Sequence, residues 1–143
     1  MKEKLNLLLS DLVVFYHKLQ SYHWYVKGTA FFEVHAKLEE YYDAINEQID
    51  EVAEVMLMEG LKPASTMKDF LKIAKVKEGA KDYVEPSKIF KSVLDDFKYL
   101  LKSAEAVKAQ ADKKNNYFVS AKMDELIGAY KKTIWMISQS LMK

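Results

Sequence analysis

The segment Tyr22–Met56 reads YHWYVKGTAFFEVHAKLEEYYDAINEQIDEVAEVM and holds two apolar periodicities separated by Gly28-Thr29-Ala30. Upstream of the break, Leu5, Leu8, Leu12, Phe15, Leu19, Tyr22 and Val26 step by three or four, one apolar face of a helix from about Lys2 to Lys27. Gly28 then stands where a left-handed C-terminal cap is wanted. Downstream, Leu38, Tyr42, Ile45, Ile49, Val52 and Met56 alternate steps of four and three, the seam of a second helix from about Phe31 to Glu59 that ends before Gly60. A link this short forces the two helices to lie antiparallel and adjacent.

The rest of the chain repeats the pattern after an interruption. Pro63 and Ser65-Thr66 make a turn, and Ser65 or Thr66 can cap a short helix Met67–Ala74. Lys75 to Glu85 reads as loop. A third long helix starts near Pro86, a residue suited to the first helical position, with the stripe Phe90, Val93, Phe97, Leu100, Ala104, Val107 and Ala111. The run Asp112–Asn116 breaks it. A fourth carries Val119, Met123, Leu126, Tyr130, Ile134, Ile137 and Leu141. The fold class is therefore all-α: one domain over residues 1–143, a four-helix bundle whose long crossover contains a short extra helix.

Composition agrees and narrows the chemistry. The 143 residues include only 4 Gly and 2 Pro, well short of what a turn-rich sheet protein needs. Absence of cysteine excludes a disulfide scaffold, a thiolate metal site and a cysteine nucleophile. With 22 basic and 21 acidic residues, no strong field argues for nucleic acid or an anionic membrane. No apolar run approaches a membrane span, and the N-terminus lacks the form of a secretory signal, so a cytoplasmic location is expected.

Three histidines occur, and His23 and His35 bracket the first break at comparable heights on neighbouring helices. Taken alone, a histidine on an amphipathic helix is most often an ordinary core or surface group. Further along the second helix, Asp50 and Glu54 lie four apart and share one face. Asp50 is only about 60° from His35 around the axis but about 22 Å along it, so the four residues cannot meet within one chain. They can meet if the second helix of another copy packs antiparallel across a two-fold axis near Asp43 or Ala44, which generates two equivalent sites. Two imidazoles and two carboxylates suit iron, zinc or manganese, with open positions for turnover. Glu39, one turn after His35, is an outer ligand or acceptor for such a site. Trp24, beside His23, reads as a packing residue, or else as an indole that takes up stray oxidising equivalents from an oxidising site.

These residues resemble the Dps family, the mini-ferritins named as DNA-binding proteins from starved cells, and the bundle with one crossover is the ferritin-like arrangement. The likeness runs through the quoted segment, then PASTMKDFLKIA (63–74) and IWM (134–136), and covers essentially the whole chain. Its most specific part is the spacing of His23, His35, Asp50 and Glu54. The resemblance implies a ferroxidase in a hollow homododecamer built from two-fold dimers. Fe(II) would be oxidised between subunits, preferentially by hydrogen peroxide, and ferric mineral stored inside, with zinc as an alternative occupant of the site. On that resemblance Glu40, Glu47 and Glu51 are either cavity-lining acids or ordinary solvated ones, and Asp124 matches a pore acid. Larger ferritins instead place Glu three residues before a histidine inside one bundle; His17, His23 and His35 follow Val14, Gln20 and Phe32. The alternative function is a nucleoid-associated, DNA-compacting protein. Lys2, Lys4, Lys113-Lys114 and Lys131-Lys132 are scattered charges, so DNA binding is expected to be weak and non-specific.

Overall fold

In the computed structural model, which describes residues 1–143, the Gly28 break folds α1 (Lys2–Tyr25) against α2 (Phe31–Met58). A crossover containing α3 (Met67–Ile73) leads to α4 (Pro86–Lys113), which pairs with α5 (Tyr117–Leu141). The predicted apolar faces meet at the centre. Phe97 of α4 touches one ring from each other long helix: Phe15 of α1 at 5.0 Å, Tyr41 of α2 at 5.6 Å and Tyr130 of α5 at 6.0 Å between centroids. No helix is long and apolar enough to cross a membrane.

Several boundaries move for identifiable reasons. The first helix ends at Tyr25, not Lys27, because Val26 turns extended and pairs in parallel with Val84. The backbone N–H of Lys27 donates to Val84 (3.1 Å) and that of Val84 to Tyr25 (3.0 Å), so the end of the supposed plain loop 75–85 is pinned. Gly28, at φ +113°, is no helix cap; it permits the link, and its carbonyl accepts from Phe31 N–H. At the start of α4 it is Ile89 that is buried, with Phe90 half-buried. The last break is narrower than Asp112–Asn116: α4 continues to Lys113, Asn115 adopts φ +54°, and the Asn116 side chain caps α5 by accepting from Val119 N–H. At α3, Thr66 is the residue that caps, accepting from Asp69 N–H.

Two buried polar contacts fix the crossover and the α1–α4 pairing. The Asp11 carboxylate, 0% exposed, accepts from Lys75 N–H (2.6 Å), Val76 N–H (2.9 Å) and Tyr99 O–H (2.7 Å). Three donors offset the cost of burying a carboxylate among apolar helices. Lys18 is buried too and pairs with Asp96 at 2.7 Å; burial holds the Asp96 carboxyl above its ordinary value, and the Lys18 ammonium offsets only part of that rise.

Burial also sets the alkaline limit of the bundle. Tyr41 is pushed up to about 12 by burial and by Glu40, and burial likewise raises Tyr99 and Tyr130. A phenol with a raised folded-state pKa favours folding while it is protonated. That contribution is intact below the unfolded value near 10 and is lost as pH rises through the folded values. In an ultraviolet titration, about three of the nine tyrosines are therefore expected to ionise only as helical dichroism collapses. Ionisation of all nine with native dichroism intact would contradict this.

Candidate metal-binding and oxidation site

The short link between α1 and α2 brings the last turn of one helix against the first turns of the next. His23 and His35 lie face to face there, ring centroids 3.6 Å apart and planes 13° from parallel. Each ring bonds the other residue's main chain: Nδ1 of His23 lies 2.6 Å from the His35 carbonyl oxygen, and Nδ1 of His35 lies 2.7 Å from that of His23. A carbonyl oxygen only accepts, so both Nδ1 atoms carry the proton. In each neutral ring the lone pair is consequently on Nε2, the form a metal requires. Phe31 stacks on His35 from the other side at 4.8 Å, and Tyr42 meets His23 edge-on at 5.3 Å. The two imidazoles are therefore held by four groups before any ligand arrives.

Glu39 follows one turn after His35 and places Oε1 3.7 Å from Nε2 of His23. That is too long for a direct hydrogen bond. An imidazole lone pair and a carboxylate facing each other at this separation form a pair of acceptors suited to a shared cation. His23 is 6% exposed while Glu39 stands largely in solvent, so the pair opens outward from a dry floor.

Asp50 and Glu54 are not brought to this pair. Both are exposed on α2, about 22 Å from His35 along the helix. Within one protomer no three His, Asp or Glu side chains converge as a metal site. The acids of α2 nevertheless have an order: the helix carries eight acidic residues against the single Lys37. Glu39, Asp43, Glu47, Asp50 and Glu54 line one exposed stripe at steps of three and four. A second copy of α2 laid against that stripe would be repelled unless cations or partner side chains intervened.

Other expected residues land differently. Trp24 packs into no core of its own chain; it is 55% exposed and edge-on to His17 at 5.8 Å. Glu51 pairs with Lys122 at 3.0 Å and Asp124 with Lys108 at 3.0 Å, so in the protomer neither is a free carboxylate. Glu40 pairs with Lys37 at 2.7 Å. The carbonyl locks on the histidines went unseen in the sequence, because they depend on how two helix ends are offset. Phe31 and Tyr42 carried a partial signal, each lying close to His35 or Glu39 on the same helix.

Comparison with known proteins agrees with this architecture. The ferritin-like domain family matches residues 2–143. The DNA protection during starvation protein of Helicobacter pylori is 33% identical over 139 residues, spanning 97% of this chain and 96% of that protein. The crystal structure of Helicobacter cinaedi CAIP superposes with a TM-score of 0.96 at 36% identity and covers 99% of both chains. Dps of Vibrio cholerae O1, described as a member of a broad superfamily of ferritin-like diiron-carboxylate proteins, gives 0.95 at 33% identity over 99% of this chain and 88% of its own. The bundle is thus a ferritin-like domain along its whole length. Within that superfamily, the chain belongs to the Dps family.

Proposed function

We propose that this protein is an iron-storing, iron-detoxifying mini-ferritin whose ferroxidase site is shared between two-fold related subunits. His23 and His35 of one chain bind Fe(II) together with Asp50 and Glu54 of the other, and Glu39 serves as an outer ligand. The observation that carries the reading is the pair of imidazoles locked through Nδ1, which leaves the lone pairs of both Nε2 atoms for a metal ion. The carboxylates favour the more highly charged ferric product, while two neutral nitrogens hold iron weakly enough for it to move on. Hydrogen peroxide accepts one electron from each of two irons and leaves as hydroxide, so little hydroxyl radical escapes. Zinc, with the same ligand preferences, competes for the site. The ferric product is stored inside a dodecameric shell, and the location is cytoplasmic.

The test is anomalous diffraction at the iron edge from crystals soaked in Fe(II). The expected peak lies between two chains, in contact with His23 and His35 of one and Asp50 and Glu54 of its partner. A peak held wholly by one chain would overturn the assignment.

A second reading, non-specific DNA binding, draws on one convergence. Lys4 at the start of α1 lines the same cleft as Lys113 and Lys114 at the end of α4, floored by Ala106 and Ala109. Repeated over twelve copies, such a cleft gives weak binding that depends on phosphate contacts. Mobility shifts of duplex DNA should fade between about 50 and 200 mM salt. Retention at high salt, or no shift at low salt, contradicts this reading.

A further inference from the structure

Tyr25 closes α1 and Tyr83 nearly closes the crossover, yet their rings meet edge to face, with centroids 5.3 Å apart and planes inclined 68°. The backbone forces the meeting. Val84 N–H donates to the Tyr25 carbonyl and Lys27 N–H to the Val84 carbonyl, so the two stretches run side by side in register. Such a ring pair reads first as packing, worth about 0.5–1.5 kcal/mol beyond area burial. Here, however, Tyr25 is 36% and Tyr83 62% exposed in the single protomer, so the pair buries little area within its own chain. The other tyrosine pair in contact, Tyr16 and Tyr42 at 5.6 Å, is half-buried. Tyr25 also lies two residues beyond His23 on the same helix.

We propose that Tyr25 and Tyr83 form an oxidative modification site, joined as an intrachain dityrosine when the site at His23 and His35 handles Fe(II) and hydrogen peroxide. The inference rests on the iron-oxidation reading above. When one Fe(II) reduces one peroxide by a single electron, the resulting hydroxyl radical takes the hydrogen of a phenol. Each event consumes one Fe(II), one peroxide, one phenol and one proton, and yields one Fe(III), one phenoxyl radical and two waters. Two phenoxyl radicals then couple through one carbon–carbon bond ortho to the oxygens. The hydrogens on the joined carbons move to the oxygens and restore both aromatic rings. Two stray oxidising equivalents end in one covalent bond that staples the end of α1 to the crossover, because the paired backbones hold the rings within reach.

The test treats the assembled protein with Fe(II) and excess hydrogen peroxide, digests it with trypsin and searches for Leu19–Lys27 joined to Asp82–Lys88. The joined product should be two hydrogens lighter than the two peptides and show dityrosine fluorescence. Tyr25→Phe and Tyr83→Phe should each lower its yield more than tenfold while leaving Fe(II) oxidation at the wild-type rate. His23→Ala should lose both oxidation and the joined peptide. A parallel arm oxidises the protein with light, tris(bipyridine)ruthenium and persulfate, which needs no iron site. The peptide in that arm but not with iron and peroxide, with Fe(II) oxidation normal, would overturn the coupling to the iron site and leave the functional reading standing. Its absence from both arms would overturn the proposal at the ring pair itself. Undiminished yield in an inactive His23→Ala protein would assign the oxidant to bulk solution and overturn the coupling. Rapid Fe(II) oxidation by His23→Ala would instead sink the functional reading.

Discussion

His23→Ala and Asp50→Ala, each alone, are expected to slow Fe(II) oxidation by more than about a hundredfold, the upper range for losing even an outer partner of a metal ligand. Both variants should retain native helicity and assembled size. His23 contributes its ring to a pair already fixed by carbonyls, Phe31 and Tyr42, and Asp50 is exposed. The sharper result comes from mixing. In a dimer of one His23→Ala chain with one Asp50→Ala chain, one shared site carries both defects and the other carries neither. Random pairing of equal amounts makes half of the dimers mixed, so co-expression should restore about a quarter of wild-type sites. Stopped-flow Fe(II) oxidation of the co-expressed protein measures this directly. Ligands drawn from a single chain would give no recovery at all, and that outcome would end the shared-site reading.

Asp11→Ala should be the most damaging substitution outside the site. It leaves Lys75 N–H, Val76 N–H and the Tyr99 hydroxyl without their acceptor; the lost carboxylate is fully buried and so is Val76, while Tyr99 is half-buried and Lys75 lies at the surface. Orphaned buried donors cost about 1–3 kcal/mol each, and partial rescue by water brings the expected total to roughly 3–5 kcal/mol. For a chain of this size that is a fall in melting temperature of about 10 °C. Tyr99→Phe removes only one of the three bonds and should cost about 1 kcal/mol. Melts must be compared at equal protomer concentration, because assembly itself stabilises. Limited proteolysis supplies an independent reading: cleavage after Lys75, Lys77 or Lys81 should appear early in Asp11→Ala, as the crossover loses its anchor to α1. A melting temperature within about 2 °C of wild type would show that the three bonds contribute little.

Asp11 also shows where a sequence stops being readable. In the linear chain it is a polar interruption of an apolar helix; in the fold it joins α1, the crossover and α4. Nothing in its neighbours announces donors that lie more than sixty residues away. The pairing of Val26 with Val84 belongs to the same kind. It shortens α1, frees Gly28 from capping and aligns Tyr25 with Tyr83, all through contacts between segments without periodicity. By contrast, most of each long helix's apolar face was legible from its spacing, although Tyr42, Ile49, Phe90, Ile134 and Leu141 are only half-buried. Leu5, Leu8, Leu12, Phe15 and Leu19, and likewise Val93, Phe97, Leu100, Ala104 and Val107, are all buried as their spacing requires.

The site divides along the same line. That His23 and His35 would sit side by side followed from a link too short to allow anything but a hairpin. That Asp50 and Glu54 stay far from them followed from the rise of a helix. Local periodicity and chain connectivity, which act between near neighbours, thus determined the helices, their order and the placing of the four candidate residues on them. The proton on each Nδ1, the 3.7 Å gap from Nε2 to Glu39 and the rings flanking the imidazoles were decided only by the packed structure. Hydrogen-bond geometry depends on the offset of whole helices to within a fraction of an ångström, and that offset is set by the entire core at once.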